Sequence, residues 1–111
     1  MSGSTRDSQD LYNELASEYL QRPGVTIGRA LQNDVLKVDG KIFAFLRSTR
    51  LVVKLPAKQA ATLVAEGRAI PFESGGRTMK EWVAVEPPGG PGGDSWRRFM
   101  SDAIDYVGRG S

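Results

Sequence analysis

Cysteine and histidine are both absent from this sequence, and the two absences remove most of the common catalytic repertoire. Without cysteine there is no disulfide and no thiolate nucleophile. Without histidine there is no Ser-His-Asp triad and no Cys-His pair, and together the two gaps leave no ordinary zinc site. Arginine does not replace them as a general base, because it keeps its proton in proteins. Long apolar runs are missing too: none approaches the roughly 20 residues that cross a bilayer. Residues 1–5 are polar and lack the apolar stretch of a signal peptide, so a cytoplasmic location without membrane association is expected.

What remains is ordinary globular material. The 111 residues are 40% hydrophobic and 25% charged, enough for one domain and too apolar for disorder. The formal net charge is only +2, but it is unevenly spread. Asp7, Asp10, Glu14 and Glu18 face only Arg6 near the start. Arg22, Arg29, Lys37, Lys41, Arg47, Arg50, Lys54 and Lys58 then face only Asp34 and Asp39. Such a basic run is the raw material of phosphate contacts, and Arg29, Arg47, Arg50 and Lys58 are the candidate nucleic-acid contacts.

Periodicity gives the elements. Leu11, Leu15 and Tyr19, with Ala16 and Leu20 beside them, form an apolar stripe over 8–21, a helix stopped by Pro23-Gly24. Val35-Leu36-Lys37-Val38 and Lys41-Ile42-Phe43-Ala44-Phe45-Leu46 flank Asp39-Gly40, the pair that favours a two-residue type I′ hairpin. A third strand follows over 51–55. Pro56 suits the start of a helix carrying Ala60, Leu63 and Val64, which Gly67 closes. A weak strand near 69–72 carries Pro71, Ser74-Gly75-Gly76 is a turn, and 79–86 forms the fifth strand. Residues 87–93 are all proline and glycine and read as a linker before a last helix. In that helix Asp94 is the cap and Trp96, Phe99, Met100, Ala103, Ile104 and Val107 recur at helical spacing. The expected fold class is α+β, a two-layer α/β sandwich with an antiparallel sheet in the order α-β-β-β-α-β-β-α. Residues 1–7 and 109–111 are expected to be tails of one domain spanning 8–108.

Chemistry-bearing motifs are few. Gly75-Gly76-Arg77-Thr78 and the glycines of 89–93 lack the Gly-Lys-Ser/Thr ending of a phosphate loop, so turn and linker roles suffice. Asp10, Glu14 and Glu18 line one helix face, where a hard cation would look for oxygens. One helix rarely closes a coordination shell, and a solvated face accounts for these acids, as it does for Asp102 and Asp105. No catalytic residue, metal or cofactor is expected.

The hairpin register sorts the sheet into two faces. A two-residue turn pairs Val38 with Lys41 and Leu36 with Phe43. With Leu46 opposite Leu51, Val35, Ile42, Ala44, Leu46, Leu51, Val53 and Leu55 share a face that helices should cover. The other face collects Leu36, Val38, Phe43, Phe45 and Val52 with Lys41, Arg47 and Lys54. That mixture makes Leu36, Lys41, Phe43, Phe45, Val52 and Lys54 the candidate partner surface, for another protein or a second copy.

From Gly24 onward these stretches also resemble the TfoX N-terminal-domain family, whose namesake is a bacterial competence regulator. The resemblance is carried by residues 37–44, Leu51-Val52-Val53-Lys54-Leu55-Pro56, Pro71-Phe72-Glu73, Gly76-Arg77-Thr78-Met79-Lys80-Glu81-Trp82-Val83 and the final helix. Gly40, Pro56, Phe72, Met79 and Trp82 are the motif positions, and they match as structural residues. The resemblance implies an α-β(3)-α-β(2)-α fold, shared more distantly with MmcQ/YjbR-type proteins. It also implies a regulatory module, although competence regulators carry a second, C-terminal domain that is not in this sequence. Gly28-Arg29-Ala30-Leu31 departs from the family's Met-Phe-Gly-Gly run, and the linker at 87–93 is longer than usual. The expected function is a non-catalytic regulatory module acting through a protein surface. The alternative is a nucleic-acid-associated transcriptional regulator using the basic region 22–58.

Overall fold

Asp39 and Gly40 have φ of 52° and 81°, the two positive values that a type I′ turn needs, and glycine meets that need without a Cβ clash. The turn joins two strands of a sheet seen in a computed structural model that describes residues 8–30, 33–47, 49–86 and 94–108. The expected tails at 1–7 and 109–111 and the linker at 87–93 lie outside the described residues. The elements are α1 (Ser8–Tyr19), β1 (Val25–Ala30), β2 (Asn33–Val38), β3 (Lys41–Arg47), β4 (Arg50–Lys54), α2 (Ala57–Ala65), β5 (Ile70–Ser74), β6 (Arg77–Val85) and α3 (Asp94–Gly108). All strand pairs are antiparallel, in the spatial order β1-β2-β3-β4-β6-β5. The fold is α+β, as expected, with one more strand than the sequence pattern gives.

The added strand is β1, which pairs along its whole length with β2 from Val25↔Val38 to Ala30↔Asn33. Its Gly28 weakens the strand signal in sequence. The far end of the Lys37 side chain crosses the β1 backbone there, 2.6 Å from where a Cβ would stand. The weak strand expected at 69–72 forms at Ile70–Ser74 and is an edge, the place in a sheet that tolerates Pro71. Pro56 sits one residue ahead of α2, at the N-cap position, with no side-chain cap bond.

A β-bulge decides which way the sheet faces. Leu36 pairs with Ala44 and Lys37 with Ile42, so Phe43 is an extra residue on β3. A bulge turns two consecutive side chains toward the same side, and Phe43 and Ala44 both enter the cluster packed under the helices. The expected pairing of Leu36 with Phe43 is therefore corrected. Leu36, Val38 and Phe43 lie on the helix side, and Val35 and Ile42 lie on the other. Leu46↔Leu51 holds as expected, and so does the placement of Ala44, Leu51, Val53 and Leu55 under the helices.

The helix side holds the larger core. Leu15, Phe43, Leu51, Val53, Leu55, Trp96 and Met100 are each fully buried there, and each such side chain contributes about 1.5–3 kcal/mol relative to exposure. The six apolar positions expected on the last helix are all buried. Polar contacts fix the helices to one another and to the chain. The Trp96 indole donates to the Glu86 carbonyl at 2.9 Å, Tyr19 donates its hydroxyl to the Arg97 carbonyl at 2.7 Å, and Gln59 donates to Asp102 at 3.1 Å.

Candidate functional site

The second face of the sheet carries a smaller core made only of strand residues: Val35, Phe45, Val52 and Ala84 are buried, with Ile42, Phe72 and Trp82 packed against them. No described helix residue takes part. The surface here is therefore made by the sheet's own side chains.

Two irregularities assemble it. The Phe43 bulge leaves Phe45 pointing to this side, directly across from Val52. Between β5 and β6 the register jumps, with Pro71↔Val83 followed by Phe72↔Met79. Trp82 pairs with Lys54 of β4 on the other edge of β6, and Phe72 lies next to it. The three rings close on one another. Phe45 stands edge-on to Phe72 at 5.7 Å between centroids, tilts against Trp82 at 5.8 Å, and Phe72 lies 6.5 Å from Trp82. Such aromatic pairs contribute about 0.5–1.5 kcal/mol beyond the area they bury. Phe45 is only 2% exposed as a result, while Phe72 and Trp82 remain half-buried.

Cations plate the outer rings. The Arg47 guanidinium lies 5.5 Å from the Phe72 ring centre, and the Lys54 ammonium lies 6.0 Å from that of Trp82, within reach of a cation–π attraction. Lys54 also approaches Glu81 at 3.8 Å. Arg50, which pairs with Arg47 across the β3–β4 hairpin, donates to the Glu86 carboxylate. The face therefore shows aromatic edges and exposed or half-exposed cations over a dry interior.

The sequence-derived site residues separate accordingly. Phe45, Val52 and Lys54 of the candidate partner surface lie on this face, but Phe45 and Val52 are interior to it. Leu36 and Phe43 are corrected to the helix side, where they are 1% and 0% exposed and inaccessible to a partner. Lys41 is exposed beside the hairpin turn. Of the candidate nucleic-acid contacts, Arg47 and Arg50 adjoin one another here. Lys58 stands on α2, on the helix-bearing side, and the Arg29 side chain lies outside the described residues. Phe72 and Trp82 were read as structural motif positions, and they also form the accessible part of this face. Met79 is 38% exposed. The basic run thus disperses: Arg22 caps the Tyr19 ring at 4.6 Å, and Lys37 crosses β1.

Of the acidic stripe on α1, Glu18 meets α3. Glu18 accepts two bonds from Arg97, at 3.0 and 3.2 Å, and that bonding holds its carboxyl below the usual range. Among the described residues no group of three or more metal-type side chains occurs, and no helix is long and apolar enough to cross a membrane. Comparison with known proteins found no matching family model, no similar curated protein and no similar solved structure.

Proposed function

We propose that this chain is a non-catalytic binding module that engages an acidic protein partner through the face of its sheet that carries the Phe72 and Trp82 rings, as a regulatory domain of the TfoX N-terminal type. The observation that carries this reading is the plating of Arg47 and Lys54 over the Phe72 and Trp82 rings. Half-buried aromatics and arginine are the residue types that dominate binding energy when a partner excludes water from them. Charge selects the partner's sign. A second copy docked face to face would bring Arg47 and Lys54 against their own equivalents, which costs free energy, whereas carboxylates would meet both cations. The absence of cysteine and histidine supports a binding role over a catalytic one.

The same plating gives the nucleic-acid reading its one specific support. Aromatic edges beside cations suit stacked bases and phosphates of a single strand. An R47E/K54E double variant tests the first reading when partners are co-isolated from the native source. A protein recovered with the wild type and lost with the folded double variant is expected, and equal recovery with both would overturn it. Titration with a thymidine oligonucleotide distinguishes the second reading, whose signature is an affinity that falls steeply with salt.

A further inference from the structure

Beside the plated face, and sharing Trp82 with it, a groove of about 450 Å³ runs between α2 and the β5–β6 pair. Ala60, Ala61 and Val64 form its helical wall, and Pro71, Met79, Trp82 and Val83 form its sheet wall. Alanine at successive turns keeps the helix from filling the gap. Met79 is exposed over more than a third of its surface, and a flexible thioether adapts to varied apolar partners. The groove is open along its length rather than closed, so it would not enclose a small molecule as binding pockets do. It suits the side chains of a chain segment laid across it.

The charges at its rim are all of one sign. Lys58 and Lys80 border the groove, and no acidic side chain lines it among the described residues. Both lysines are exposed. The first turn of α2 also ends here, at Ala57 and Lys58. Its N-cap, Pro56, offers no side-chain bond to the first amides of the helix. Apolar floor and cationic rim converge on one chemistry.

We propose that this groove docks a short peptide segment of a partner protein in which apolar side chains are followed by a carboxylate. The apolar side chains cover Ala61, Val64 and Met79. The carboxylate meets Lys58 and Lys80. The groove adjoins the plated face at Trp82 but offers different cations, Lys58 and Lys80 in place of Arg47 and Lys54.

A displayed library of random short peptides, panned on the wild-type protein, provides the test. Enriched peptides should pair apolar residues with Asp or Glu. A synthetic copy of the leading peptide should lose roughly tenfold in affinity to K58E/K80E and to A61F, which fills the groove from an exposed helix position. Urea midpoints establish that each variant is folded, and K58E/K80E decides alone if A61F is not. Four outcomes would each overturn the proposal: no enrichment over the unselected library, enrichment of basic or uncharged peptides, binding indifferent to K58E/K80E, or self-association of the protein through this groove.

Discussion

The two faces of the sheet bury side chains equally well by different means. Under the helices, Phe43 is 0% exposed because α3 and its Trp96 and Met100 pack over the strands. On the other side, Phe45 reaches 2% with no described helix over it, shielded by Phe72 and Trp82 from its own sheet. A face roofed by helices is committed to stability. A face roofed by its own half-buried rings and cations keeps a surface that a partner can still use.

The largest expected effect separates interior from surface on that second face. Phe45→Glu would put a carboxylate among three rings, and an unpaired buried charge is strongly destabilising. The F45E protein should be unfolded by circular dichroism. Arg47→Glu, two residues along the same strand, should stay folded. A folded F45E protein would mean that the rings do not enclose Phe45 as described.

Truncations compare the two roofs directly. Phe43→Ala should cost about 3–5 kcal/mol in urea unfolding, as deep phenylalanine truncations do. Phe45→Ala should fall at or below the low end of that range, because Phe72 and Trp82 are free to settle into the gap whereas the helix-roofed core is held from both sides. An equal or larger loss for F45A would erase the distinction.

Much of this was legible in the sequence, and the exceptions have physical causes. The Asp39-Gly40 turn, the six-residue stripe of α3 and the mixed aromatic-cationic character of one face follow from local pattern. The face assignment of Leu36, Val38, Val35 and Ile42 did not. Ile42 to Leu46 is five apolar residues in a row, so period-two alternation cannot place a bulge within it. The bulge puts Phe43 in the cluster under the helices, a tertiary contact that local pattern does not carry. β1 was hidden because Gly28 cuts short a Val-Thr-Ile run, and the strand is held by its pairing with β2 rather than by its own pattern. Phe72 and Trp82 could be read as packing residues, but their meeting with Phe45 depends on the β5–β6 offset, which leaves no mark in the sequence.

Two pH effects sharpen the comparison with smaller signals, both on the helix side. Burial, with the Asp34 charge adding, raises the Tyr12 phenol well above its ordinary value of 10.0, and burial also raises that of Tyr19. A raised folded-state value favours the protonated form, so this stability is complete below the ordinary phenol range and is lost as pH rises through and beyond it. Alkaline unfolding should begin above pH 10, and Tyr12→Phe should move it upward. A midpoint that Tyr12→Phe leaves unmoved would remove Tyr12 from that account. Glu18 has the opposite sign: its contribution is present above the ordinary carboxylate range and lost as pH falls through its lowered value. Because the Glu18–Arg97 pair is exposed, Glu18→Gln should give the smallest change of all, one that added salt abolishes.

Arg47 and Lys54, plated over the Phe72 and Trp82 rings, bind a partner and are not needed to hold the domain together. The decisive quantity is the affinity of the R47E/K54E protein for the partner co-isolated with the wild type, taken alongside its urea midpoint. A loss of roughly tenfold or more in affinity is expected, with little change in midpoint. An unchanged affinity in a folded variant would contradict it.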